Sequence, residues 1–258
     1  MECLTDKFKR KIADQAFRSP HTFLLLDYDG TLTPIVAKPE LAKLHESTRK
    51  LLNKLVKQTE FSVGVITGRT TREMRALVHL KSLIYAGNHG LELEGPDFKY
   101  THPKAKESAR IIKDVKMALL PLLAAFPGTV MEDKHLTLSF HYRLVPFVKL
   151  CSLKEQFDRL IAPWVGNRKI QIQEAKKVWE IRPHLNWNKG SAVRWILLHE
   201  DPASFPIYIG DDKPDESAFK ALKGRGITVR VGFDPASLAR YYVKDTNEVE
   251  RFLSFFIR

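Results

Sequence analysis

Cysteine is nearly absent: Cys3 and Cys151 are the only two in 258 residues. One lies near a terminus, so a disulfide scaffold is excluded and a reducing compartment is the default. No apolar run approaches the ~18 residues that a membrane-spanning helix needs. The stretch Thr22–Leu26 is strand-sized, and acidic residues follow it at once. The opening residues, Met1-Glu2-Cys3-Leu4-Thr5-Asp6, lack the basic-then-apolar order of a signal peptide. A cytoplasmic, monomeric protein with no membrane partner is therefore expected. There is no dense Lys/Arg tract interleaved with aromatics and no helix-turn-helix or zinc-finger spacing, so no nucleic-acid partner is expected either. Internal repeats and low-complexity linkers are missing as well. What remains is ordinary globular composition, 44% hydrophobic and 28% charged, with a net charge of +12. Such a balance favours anionic partners, small phosphorylated substrates among them.

Along the chain, strand, polar turn and helix recur. Residues 22–26 are a buried strand ending in Asp27-Tyr28-Asp29-Gly30, followed by helical spacing over 41–59. Phe61–Ile66 is a second buried strand, ending in Thr67-Gly68-Arg69 before a helix at 70–80. Ser82–Ala86 is a third run, closing in Gly87-Asn88-His89-Gly90. This rhythm predicts an α/β protein with a doubly wound, Rossmann-like parallel sheet. The rhythm then changes. A helix over 105–125 leads to extended structure over 129–143, a helix near 146–160, and strands near 168–174 and 177–182. Strands joined to strands predict an α+β module inserted into the parallel domain. The first pattern resumes at Asn186-Trp187-Asn188-Lys189-Gly190, with a helix at 191–199. A strand at 206–209 follows, ending in Gly210-Asp211-Asp212, then a helix, the strand Ile227–Val231 and a C-terminal helix near 247–257.

Ligands of open α/β sheets bind beyond the carboxyl ends of the strands. Asp27 and Asp29 sit at one such end, and Asp211, Asp212 and Asp215 at another. Carboxylates crowded this closely ionise together only beside a cation. Mg2+, a hard cation that takes oxygen ligands and binds phosphate, suits them. Lys189, the Thr67 hydroxyl and the backbone N–H groups of Gly30 and Gly68 are partners for phosphate oxygens. Together they describe phosphoryl transfer.

Taken in order, Asp27-Tyr28-Asp29-Gly30-Thr31-Leu32-Thr33, Thr67-Gly68-Arg69, Lys189 and Gly210-Asp211-Asp212 resemble the haloacid dehalogenase superfamily of phosphohydrolases. More narrowly, Gly87-Asn88-His89-Gly90-Leu91-Glu92, Glu132-Asp133-Lys134 and Val178-Trp179-Glu180-Ile181-Arg182-Pro183 resemble the trehalose-6-phosphate phosphatases. The resemblance implies a haloacid dehalogenase core at 1–103 and 184–258, with an inserted α+β cap at 104–183. It implies Asp27 as nucleophile, passing through an aspartyl-phosphate, and Asp29 as general acid and base. It assigns Mg2+ to Asp27, the Asp29 backbone carbonyl and Asp211, with Asp212 and Asp215 as outer support. Thr67 and Lys189 would hold the transferring oxygens, the backbone at Gly30 and Gly68 would assist, and Arg69 and His89 would touch substrate. Glu132, Lys134 and Glu180 would read the sugar of a phosphorylated disaccharide. A sucrose phosphate or glycosyl-glycerate phosphate remains an alternative substrate, and polyanion binding a more distant one. Pro214 stands where the family usually has Thr, which removes a hydroxyl and a backbone N–H. Because Leu136, Leu138 and Phe140 share parity with Glu132 and Lys134, a turn or bulge is expected near Lys134-His135 to restart the register.

Overall fold

The computed structural model describes residues 1–36, 41–175, 177–199 and 203–258. They fall into two compact units: 1–100 with 187–258, and 101–186.

The first unit is built on a long sheet. In chain order its elements are β1 (Glu2–Cys3), α1 (Asp6–Arg18), β2 (Thr22–Leu26), α2 (Glu46–Leu55), β3 (Phe61–Ile66), α3 (Thr71–Val78), β4 (Ile84–Gly87), β5 (Glu92–Glu94) and β6 (Lys99–Thr101), whose last residue enters the second unit. The second unit contributes α4 (Pro103–Ala125), β7 (Val130–Asp133), β8 (Leu138–His141), α5 (Leu150–Gly166), β9 (Ile170–Ala175) and β10 (Val178–Pro183). The chain then returns with α6 (Lys189–His199), β11 (Phe205–Gly210), α7 (Glu216–Ala221), β12 (Ile227–Val231), β13 (Tyr241–Val243) and α8 (Thr246–Ser254).

The sheet order is β1-β13-β12-β11-β2-β3-β4-β5-β6. Pairing is parallel from β1 through β4 and antiparallel between β4 and β5. Every residue of β2 and β11 is buried. A strand covered on both faces has no reason to alternate, which is why both read as continuous apolar runs. Leu24, Leu26, Ile207 and Ile209 pack to one side with Ile12, Leu52 and Phe252 of α1, α2 and α8. Phe23, Leu25 and Tyr208 pack to the other with Ile196 and Phe219 of α6 and α7. The architecture is the doubly wound, mostly parallel α/β sheet expected from the sequence. Strand order reverses at the junction of β2 and β11, so their carboxyl ends meet at the switch point.

The second unit is an antiparallel sheet of order β7-β8-β10-β9 with α4 and α5 on one face. Register puts Met131, Phe140 and Trp179 side by side, and Glu132, Ser139 and Glu180 in the adjacent row. Successive residues of a strand point to opposite faces. The first row packs with Phe157 and Ile161 of α5, and the second forms a polar face. The register restart expected near Lys134-His135 takes the form of a hairpin turn, with His135 at φ 66°.

Element ends differ from the sequence reading for local reasons. The second helix starts at Glu46 rather than 41 because His45, whose ring accepts from the Ser47 N–H, caps it. The helix expected from 146 is α5, starting at 150 after a single 3-10 turn at Phe147–Lys149 and running on past Pro163. The reading missed α1, β1, β5, β6 and β13.

Candidate active site

Strand β2 delivers Asp27 and β11 delivers Asp211 as neighbours, since the Asp27 N–H donates to the Ile209 carbonyl at 2.8 Å. Beyond β2 the chain folds tightly back, with the Leu32 and Thr33 N–H groups both donating to the Tyr28 carbonyl. Gly30 sits in this loop at φ +82°, and a Cβ there would overlap the Asp211 carboxylate. Glycine is therefore needed twice over, for its dihedral and for its missing side chain.

Lys189 opens α6 and is buried. Its Nζ reaches Asp27 Oδ1 at 2.8 Å and Asp215 Oδ1 at 2.7 Å. Gly190 allows this, because a Cβ there would collide with the Ser217 carbonyl. Ser217 Oγ accepts from the Gly190 N–H at 3.0 Å and donates to the Pro214 carbonyl at 2.8 Å. Pro214 occupies the first turn of a short 3-10 segment, where its missing N–H costs no helical hydrogen bond.

Oxygens of Asp27, Asp211 and Asp215 lie within 4.8 Å of one another. The three carboxylates are not equivalent. Asp215 accepts from Lys189 and from the Tyr208 hydroxyl on Oδ1, and from the Asp211 and Asp212 N–H groups, both at 3.0 Å, on Oδ2. Four donors saturate a carboxylate. Asp215 therefore positions the others, and Asp27 and Asp211 are the oxygens better placed to take a cation. Asp212 lies outside this cluster; its carboxylate accepts from the Lys213 N–H and caps the turn.

Burial pushes the Asp27 carboxyl well above its ordinary range; Lys189 opposes this, and the negative Asp215 and Asp211 add to it. Burial is the largest single influence on Lys189 and pulls it down, but the charges and hydrogen bonds of Asp215 and Asp27 together hold it above its ordinary value. One lysine among three carboxylates leaves an excess of negative charge. An all-oxygen, anionic cluster of this kind fits Mg2+.

Asp29 points differently. Arg69 grips it with two hydrogen bonds, Nε to Oδ2 at 2.7 Å and Nη2 to Oδ1 at 2.6 Å. Thr67 at the end of β3 accepts from the Arg69 N–H at 3.2 Å. Gly68 lies against His89, where a Cβ would fall 2.8 Å from the ring. Asn88 and His89 both hold left-handed dihedrals, φ 51° and 57°. Such strain persists only where surroundings impose it. Here Glu92 accepts from Asn88 Nδ2 and the Thr71 N–H, and Trp187 Nε1 donates to the Gly90 carbonyl.

In the second unit, Lys134 Nζ lies 3.4 Å from Glu180 and 3.8 Å from Glu132, and His141 Nε2 lies 3.2 Å from Glu132. Burial pushes the Glu132 carboxyl up, yet the His141 hydrogen bond and Lys134 together hold it below its ordinary value.

The fold thus brings Asp27, Lys189, Asp211 and Asp215 together, pairs Asp29 with Arg69, and clusters Glu132, Lys134 and Glu180. Sequence reasoning missed Tyr208 and Ser217. Neither stands in a motif; Tyr208 is one more apolar-looking position of a buried strand.

The trehalose-phosphatase family model matches residues 25–247. Probable trehalose-phosphate phosphatase 4 of Oryza sativa subsp. japonica is 33% identical over 249 residues, covering 92% of this chain and 66% of that protein. Trehalose-phosphate phosphatase B of Arabidopsis thaliana is 30% identical, covering 92% and 67%. The chain spans about two thirds of these relatives. Among solved structures, the C. albicans trehalose-6-phosphate phosphatase C-terminal domain aligns with TM-score 0.82 at 21% identity, covering 99% of this chain and 98% of that one. A trehalose-6-phosphate phosphatase related protein aligns at 0.79 with 24% identity, covering 90% and 96%. With the motifs, the fold and the match across most of its length in agreement, the chain belongs to the trehalose-phosphatase family.

Proposed function

We propose that this chain is a Mg2+-dependent phosphatase that hydrolyses trehalose 6-phosphate to trehalose and phosphate, a step of trehalose biosynthesis. The observation that carries it is the buried Asp27–Lys189 contact beside Asp211, at the switch point of the sheet. Asp27, the Asp29 backbone carbonyl and Asp211 would hold the ion, which when bound supplies positive charge against the repulsion between Asp27 and an anionic phosphate. An Asp27 oxygen attacks phosphorus, the bond from phosphorus to the sugar oxygen breaks, and Asp29 gives that oxygen its proton. Asp29 then takes a proton from the water that cleaves the aspartyl-phosphate. Arg69, which holds both Asp29 oxygens, would release one of them for Asp29 to carry that proton and regrip the carboxylate once it is given up. Lys189 and Thr67 hold the phosphoryl oxygens, with Gly30, Gly68 and His89 beside them. Glu132, Lys134 and Glu180 of the second unit are assigned the sugar hydroxyls, and that unit the role of specificity cap.

Phosphate release from trehalose 6-phosphate, glucose 6-phosphate and sucrose 6-phosphate tests this. Turnover should favour the trehalose ester, vanish with chelator and vanish in Asp27→Asn. A preference for another ester, or activity surviving in Asp27→Asn, would overturn it.

A further inference from the structure

One edge of the second unit carries apolar side chains that none of the described residues of that unit covers. Val130 and Val178 both pair with His141 on the strand between them, so three strand ends meet there. The loop between β8 and α5 lies across this edge: the Tyr142 N–H donates to the Lys177 carbonyl, and a Cβ on Gly128 would fall 2.5 Å from the Leu144 carbonyl. The loop is anchored from beneath. Val145 is buried in the core, and Tyr142 packs on Trp179 at 4.4 Å. Yet Leu144 is 72% exposed, Phe147 85% and Val148 86%, with Val130 beside them at 56%. Apolar side chains held outward by a firm base are not residual core.

Charge says what such a projection meets. Residues 142–153 contain Arg143 and Lys149 and no acidic residue, and Lys177 is exposed at the same edge. Glu174 of β9 acts on the Tyr142 hydroxyl. Residues 101–186 as a whole hold 15 Lys and Arg against 8 Asp and Glu, so +7 of the chain's +12 lies in this third of it. A second copy docking here would oppose cation to cation. A convex apolar tip ringed by cations suits a soft anionic surface, where side chains enter the headgroup layer while Lys and Arg stay at the phosphates.

We propose that this tip, Leu144, Phe147 and Val148 flanked by Arg143 and Lys149, is a peripheral docking site for anionic lipid bilayers. The expectation of no membrane partner rested on the lack of a spanning segment. No helix among the described residues is long and apolar enough to cross a membrane, but a surface loop needs none.

The test uses the whole chain with vesicles of phosphatidylcholine alone or mixed with phosphatidylserine. The exposed Cys151, at the start of α5, takes an environment-sensitive fluorophore in a Cys3→Ser background. Anionic vesicles should cosediment the protein at low salt, shift the fluorophore to the blue, and release the protein at high salt. Phe147→Ser with Val148→Ser should lower partitioning by at least about tenfold, and Lys149→Gln by roughly fivefold. These exposed positions leave phosphate release unchanged, which reports that each variant is folded. Failure to bind anionic vesicles, or equal binding by the Phe147/Val148 variant, would sink the proposal. So would concentration-dependent self-association abolished by that variant, since the tip would then serve a second copy.

Discussion

At the scale of single residues, Asp211 and Asp215, two of the three aspartates after β11, separate cleanly by their surroundings. Asp215 is buried and spends all its acceptor capacity on protein donors, one of them the ammonium of Lys189. Removing one partner of a buried charge pair costs about 3–5 kcal/mol. Asp27 still holds the lysine, so Asp215→Asn belongs at the low end, about 3 kcal/mol. The loss should show as a lowered Tm in metal-free protein. Asp211→Asn should behave oppositely: little change in metal-free Tm, but loss of the rise in Tm that Mg2+ is expected to give the wild type. Thermal melts of both variants with and without Mg2+ decide it. If Asp215→Asn is neutral and Asp211→Asn keeps the Mg2+ response, the assignment of roles is reversed. Residue types alone read both as carboxylates beside a cation; only the family resemblance set Asp211 as a ligand and Asp215 as outer support. What divides them is Tyr208 and two backbone N–H groups, contacts that exist only once β11 and the turn after it have folded.

At the scale of elements, the buried strands and polar turns were legible because a strand covered on both faces must be apolar throughout and must stop where solvent begins. Thr22–Leu26 and Ile227–Val231 carry the bounds expected of them. The first helix escaped because its buried side is mostly Ala13, Ala16 and Lys9 rather than large apolar residues. Lys9 is buried through ion pairs with Glu248 and Asp6, a contact across more than 200 residues that no local pattern contains. The polar row Glu132, Ser139, Glu180 was half legible: parity put Glu132 with Lys134 and called for a turn near Lys134-His135, but the pairing that sets Ser139 between Glu132 and Glu180 is a cross-strand contact that no local pattern contains. One element is set by a single glycine. Gly190→Ala would press against the Ser217 carbonyl and tilt the start of α6, carrying Lys189 away from Asp27. Misplacing one preorganised contact on a transferring group costs on the order of 3 kcal/mol of barrier. Phosphate release should fall about 100-fold or more, with a far smaller loss of secondary structure by circular dichroism. Near-normal turnover would show that α6 is not held by this contact.

At the scale of the whole molecule, several groups are kept protonated by the fold, and they share a direction. Burial pushes the Tyr28 and Tyr85 hydroxyls up to about 12. Burial and the nearby Asp215 raise Tyr208, and Lys189 is raised as well. In the unfolded chain these groups release protons near their ordinary values, about 10 for Tyr and 10.4 for Lys. Above pH 10 the unfolded state therefore binds fewer protons than the folded one, and stability falls as pH rises. Below pH 10 both states are protonated at these groups, so their contribution is fully present and constant. Melting temperature should hold level with respect to them up to about pH 10 and drop steeply from there to 12. Tyr85→Phe isolates one contributor, away from the carboxylate cluster. It removes the 2.6 Å hydrogen bond to the Leu80 carbonyl, costing about 1 kcal/mol at neutral pH, and it should make the alkaline drop shallower. An alkaline slope identical in Tyr85→Phe and wild type would show that this phenol does not carry the titration.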